Sequence, residues 1–209
     1  MHAFCHALPG TWHQMGVILS ATDSLNWLAG ITSTKPSALT SELGDTLLAP
    51  GSVVFLPYLS GERTPHNDAS IRGGFAGLEH ESDRAALTRA VLEGVCFAFR
   101  DSLAALAQAG TSLTRVTAIG GGSKSDYWLQ ALATVLDLPV DIPEGGDFGA
   151  AFGAARLGLI AAENADPFAV CTQPATERTI HPNRDLSAAF DEAYLKYRAL
   201  YPAIKGAMS

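Results

Sequence analysis

An α/β domain, with helices laid on the faces of a mixed sheet, is what this 209-residue sequence predicts. Three observations point there. The chain opens on two β-rich runs around a Pro-Gly turn, "MHAFCHALPGTWHQMGVILS". A long helical pattern covers about residues 82–110. Beyond it, strand and helix patterns alternate.

The elements follow in order. The opening run reads as strand, turn at Pro9-Gly10, strand. "SATDSLNWLAGIT" carries helical spacing at Leu25, Leu28 and Ile31, and Thr34 to Pro50 reads as mixed helix and loop. "GSVVFLPYLSG" and "RGGFAGL" are strand candidates separated by the polar loop "GERTPHNDASI". Ser82 and Asp83 are N-cap candidates for a helix whose core face is Leu87, Val91, Val95, Ala98 and Phe99 and whose stop is Gly110. A strand at "RVTAIG", a helix from Ser125 to Leu136, a short strand at "LPVDI" and a helix from Phe148 to Ala162 come next. A polar stretch from Pro167 to Pro182 leads to a last helix, "LSAAFDEAYLKYRAL".

The net charge of -7 and a pI near 5.3 exclude a basic nucleic-acid surface. The three widely spaced cysteines, Cys5, Cys96 and Cys171, suit a reducing compartment, and the cytoplasm is the expected location. There is no secretory leader pattern and no run long enough to span a bilayer, so no membrane partner is expected. His2, Cys5, His6 and His13 are competent metal ligands, but strand alternation puts Cys5 on the face opposite His2 and His6, and no metal site is assigned. The abrupt start in a hairpin suggests the back part of something longer.

The densest chemistry lies at "VTAIGGGSKSDYW". Gly120, Gly121 and Gly122 stand where a strand ends and a helix begins, and such a helix start offers unpaired N–H groups and the positive end of its dipole to an anion or nucleotide. Ser123, Ser125 or Asp126 would cap the helix or bond a ribose hydroxyl. The plain alternative is a tight turn and a cap with no ligand, since the run matches neither common phosphate-loop pattern. A second joint, "PEGGDFGAAFGAARLG", repeats the logic one strand later, and its small residues from Gly149 to Ala155 favour close helix-on-sheet packing over ligand contact.

Taken in order, "FLPYLSGERTPHND", "RGGFAGL", "RAVLEGV", "AIGGGSKSDYW" and "GDFGAAFGAARLG" resemble the C-terminal half of the FGGY carbohydrate kinases, most closely its xylulose-phosphorylating members. The resemblance spans most of the chain and implies a ribonuclease H-like domain of the actin and hexokinase type, residues 1–209 being the nucleotide-binding half. ATP with Mg2+ would bind between it and an N-terminal sugar-binding domain, with a pentulose as the second substrate. By that resemblance Gly120, Gly121, Gly122 and Ser123 form the adenosine turn, with Asp126 near the nucleoside. Glu62, Arg63 and His66 belong to the family's signature loop and would line the substrate or interdomain cleft; the alternative is a rigid turn with Glu62 and Arg63 in structural ion pairs. Relatives commonly carry a proline where Ala69 or Ser70 stands and a polar residue near Ala86, which bears on fine specificity.

The same resemblance puts the catalytic base, an aspartate, in the N-terminal half, so no residue of this chain is assigned that role, neither Asp126 nor Asp147. A half that exposes apolar surface also leaves room for a homodimer. Three alternatives stay open: a kinase of the same family acting on ribulose, gluconate or glycerol, a non-catalytic nucleotide-binding or structural module, and a metal-binding module built on His2, Cys5, His6 and His13.

Overall fold

The computed structural model describes residues 2–146 and 149–208. Strands β1 (His2–Cys5) and β2 (Trp12–Met15) form the opening hairpin, which turns through Gly10 at φ +69°. Phe4 lies opposite His13 and Cys5 opposite Trp12, so the histidines and Cys5 do occupy different faces. The hairpin is exposed, with Trp12 at 70%.

Helix α1 (Thr22–Ile31) buries Leu25 and Leu28, but Ile31, expected on the same face, is 59% exposed at the helix end. The short helix α2 (Pro36–Ser41) occupies part of the mixed segment. Strands β3 (Val54–Leu56) and β4 (Gly74–Ala76) pair antiparallel, and Phe55 and Phe75 stack with Trp27 of α1.

The long helix α3 (Arg84–Gln108) crosses β3. Its N-cap is Asp83, whose carboxylate accepts the Ala86 N–H at 2.8 Å, and the chain leaves through Gly110 at φ +87°. Val91, Val95 and Ala98 are buried as their spacing requires. Phe99 is not; it is 39% exposed and faces a cavity. Gly94 is where helix and strand come closest, since a Cβ there would stand 2.3 Å from the carbonyl oxygen of Phe55.

Among the described residues the mixed sheet has three strands. β5 (Val116–Thr117) lies parallel to β6 (Val140–Pro143), which pairs antiparallel with β7 (Thr176–Ile180). Helix α4 (Asp126–Leu136) links β5 to β6 and buries Leu129 and Ala133 against Val140 and Ile142. β7 is a strand within what reads as a polar connection: only the last two of its five residues are even half-buried, so it lacks the apolar alternation of an inner strand.

Helix α5 (Ala150–Glu163) packs chiefly on the short helix α6 (Pro167–Val170), and none of its residues is buried. Close packing of its small face on the sheet is therefore not what the structure has. Phe148, the expected helix start, and Asp147 lie outside the described residues. Helix α7 (Ser187–Met208) runs past Pro202 and returns to β3 and α3, where Phe190 and Tyr197 join the main core. Among the described residues, no helix is long and apolar enough to cross a membrane.

Candidate nucleotide-binding site

Parallel pairing of β5 with β6 delivers both glycine joints to one edge of the sheet, since each follows the carboxyl end of its strand. In α/β sheets ligands bind at that edge. The two joints touch: the Gly120 N–H donates to the Gly146 carbonyl at 3.0 Å.

The three glycines of the first joint differ. Gly120 needs to be glycine for its φ of +84°, and a Cβ at Gly120 or Gly121 would meet nothing within 4 Å. At Gly122 a Cβ would come 3.3 Å from the Trp128 ring and 3.4 Å from the Thr22 hydroxyl. The first two therefore border open space, whereas the third serves packing.

From Gly121 to Lys124 the backbone makes a 3-10 turn. The Ser123 hydroxyl donates to the Gly120 carbonyl at 2.7 Å and closes it. The cap of α4 is Ser125, whose hydroxyl accepts the Trp128 N–H at 3.3 Å. That leaves Asp126, in the first turn of α4, for another partner, which is Arg178 of β7. The guanidinium donates NH1 to Oδ2 at 3.0 Å and NH2 to Oδ1 at 2.5 Å, and it holds the carboxyl below its usual range. No sequence signal marked Arg178, because the strand that carries it was not recognisable. A largely apolar cavity of about 380 Å³ abuts the turn, lined among others by Thr22, Phe99, Val116, Gly122, Ser123 and Trp128.

Glu62, Arg63 and His66 sit elsewhere, on the loop after β3, and do not line that cavity. Glu62 is 3% exposed. One carboxylate oxygen accepts the backbone N–H groups of His66 at 2.7 Å and Asn67 at 3.1 Å, and the other is buried with no hydrogen-bond partner. Burial pushes this carboxyl up despite those N–H groups, so Glu62 braces the loop from inside. Its contacts are to the backbone, while Arg63 is exposed. The His66 ring stacks on Tyr201 of α7 at 3.6 Å, and burial lowers its pKa. Tyr201 and Lys205 both reach Asp68, at 3.0 and 2.9 Å. Helix α7 thus supports the loop, and it is itself tied to α3 by the buried Asp101, which accepts the Tyr194 hydroxyl at 2.5 Å.

Among the described residues no three His, Cys, Asp or Glu side chains gather as a metal cage.

The sequence profile of the C-terminal domain of the FGGY family of carbohydrate kinases matches residues 1–162. The chain belongs to this family. As an FGGY chain it is 42% identical over 205 residues to the xylulose kinase of Escherichia coli (strain K12), an alignment covering 96% of this chain and 42% of that protein. It superposes on the crystal structure of a xyloylose kinase from Brucella ovis with a TM-score of 0.90 and 67% identity, over 98% of this chain and 42% of the other. The xylulose kinase of Rhodospirillum rubrum gives a TM-score of 0.80 at 28% identity, over 99% of this chain and 43% of the other. This FGGY chain spans less than half the length of these relatives.

Proposed function

We propose that these residues are the ATP-binding half of a kinase that converts D-xylulose to D-xylulose 5-phosphate in the cytoplasm. The likeness to xylulose kinases along nearly the whole chain carries this assignment. The domain would be the ribonuclease H-like C-terminal half, with an N-terminal half supplying the sugar site and the aspartate that takes the hydroxyl proton.

ATP fits the geometry of the glycine edge. Gly120 and Gly121 leave the backbone open to close approach, the start of α4 favours an anion, and the linked joints form one rim. The adenosine would lie against Gly120, Gly121, Gly122 and Ser123, with Asp126 beside the nucleoside. Mg2+ would supply charge neutralisation on the phosphate oxygens in such a transfer. Arg63 and His66 would face the cleft between the halves, on a loop that Glu62 braces from inside and α7 supports from outside. Closure of the halves over both substrates would exclude water and limit wasteful ATP hydrolysis.

Gly121→Val in the full-length kinase tests this assignment. Gly121 has ordinary backbone angles and open space ahead of its Cβ, so the fold should survive, whereas Gly122→Val would disturb Trp128 as well. The KM for ATP should rise about tenfold, or about 1.4 kcal/mol, with the KM for xylulose unchanged. An unchanged KM for ATP in a folded enzyme overturns the adenosine-turn assignment.

A further inference from the structure

Arg178 reaches the glycine edge from outside residues 1–162, the span of the family profile. We infer that Arg178 is a positioning residue of the nucleotide site, fixing the Asp126 carboxylate for the nucleoside and cancelling its charge. The inference rests on the nucleotide-site assignment proposed above.

Three observations support it. The pair is bidentate, with both carboxylate oxygens held by one planar guanidinium, which sets the direction of the carboxylate as well as its distance. A carboxylate has about four lone-pair directions, so two acceptor positions remain for hydroxyl groups of a ligand. Second, the strand that presents Arg178 is registered on the site itself. Arg178 pairs with Ile142 of β6, and the Glu144 N–H donates to the Ala175 carbonyl at 2.9 Å, tying the entry of β7 to the second joint. Third, the charges require it. A lone Asp126 at the mouth of a site for a polyanion would repel the phosphates, and pairing makes the couple neutral. An exposed ion pair adds little to stability, and the Asp126 and Arg178 side chains are 61% and 42% exposed. Loss of Arg178 should therefore be read in binding and not in folding.

The test uses the full-length kinase with Arg178→Ala, Arg178→Lys, Asp126→Ala and the double alanine variant. Arg178→Ala should raise the KM for ATP about tenfold, as expected for a lost charge-assisted contact, while kcat, the KM for xylulose and Tm stay near wild type. Arg178→Lys keeps the charge without the fork and should fall between. The double variant should match Asp126→Ala alone, because the two residues act as a unit. A raised KM for ATP in Asp126→Ala but not in Arg178→Ala overturns the positioning role and leaves the nucleotide assignment standing. Additive effects, or an equal rise in the KM for xylulose, overturn it as well. No effect in Asp126→Ala removes both this inference and the assignment of Asp126 to the nucleoside, while Gly121→Val still tests the glycine turn independently.

Discussion

Glu93 is the carboxyl group in α3 whose environment most opposes its charge, and replacing it by glutamine isolates that cost. It is 3% exposed, and one of its oxygens is buried without a hydrogen-bond partner. Burial pushes its pKa from 4.5 up to about 8, against the smaller opposing pulls of Arg89 and the Gly51 N–H. The folded state therefore binds this proton more tightly than the unfolded chain does. The stability tied to it is complete below pH 4.5 and declines as the pH rises toward 8. At 1.36 kcal/mol per pH unit, the loss is about 3 kcal/mol at pH 7 and about 5 kcal/mol above pH 8. Glu93→Gln keeps the shape and an acceptor for the Gly51 N–H but cannot ionise. The variant should match wild type near pH 4.5 and exceed it by a few kcal/mol at pH 9, in chemical unfolding followed by tryptophan fluorescence. Trp128 is a local reporter, since its ring N–H donates to the Leu92 carbonyl at 3.2 Å. Other titrating groups cancel in the difference between the two proteins. A difference that stays flat from pH 5 to pH 9 would show that Glu93 does not carry this burial cost.

Two further substitutions probe how α3 is held. Gly94→Ala gains about 1 kcal/mol of helix propensity but drives a methyl to 2.3 Å from the Phe55 carbonyl of a buried strand; the net effect should be a loss of at least about 2 kcal/mol, and a neutral or raised Tm would refute the close contact. Asp83→Ala removes the cap on Ala86 and should cost about 1 kcal/mol, with Asp83→Asn close to wild type in the same unfolding assay.

Helices that carry their own punctuation were the most legible part of the sequence. α3 and α4 start at Asp83 and Ser125 as expected, because a cap is a local hydrogen bond that the chain writes within three residues. The opening hairpin was legible for the same reason, its turn being flanked by β-rich runs, and β3 and β4 were legible as strands though their pairing across a long loop was not. Orientation was harder. Periodicity assigned Ile31 and Phe99 to buried faces, but one lies at the end of its helix and the other borders a cavity, and neither circumstance is local. β7 was missed because "TERTI" sits at the sheet margin and so lacks an apolar face. With it went Arg178, whose partner Asp126 is 52 residues away in the chain. For α5, small residues suggested close packing on the sheet, yet smallness alone does not say against what. The loop residues Glu62 and His66 were recognisable by their motif; that Glu62 turns inward onto the loop's own N–H groups, with α7 seated on His66 and Asp68, was not.

The hydroxyls of Tyr58 and Tyr197 meet at 3.0 Å across 139 residues of chain. Synthesis runs from one to the other, at about 5–20 residues per second, so Tyr58 waits on the order of ten seconds for its partner. Until α7 emerges, Phe55, Tyr58 and Phe97 have no cover on that side, and the loop from Glu62 to Asp68 has neither Tyr201 nor Lys205 to rest on. Helix α7 is thus the one that completes the core around β3, and a chain stopped before Ser187 would leave the earlier-made part of that core open to chaperones or to aggregation.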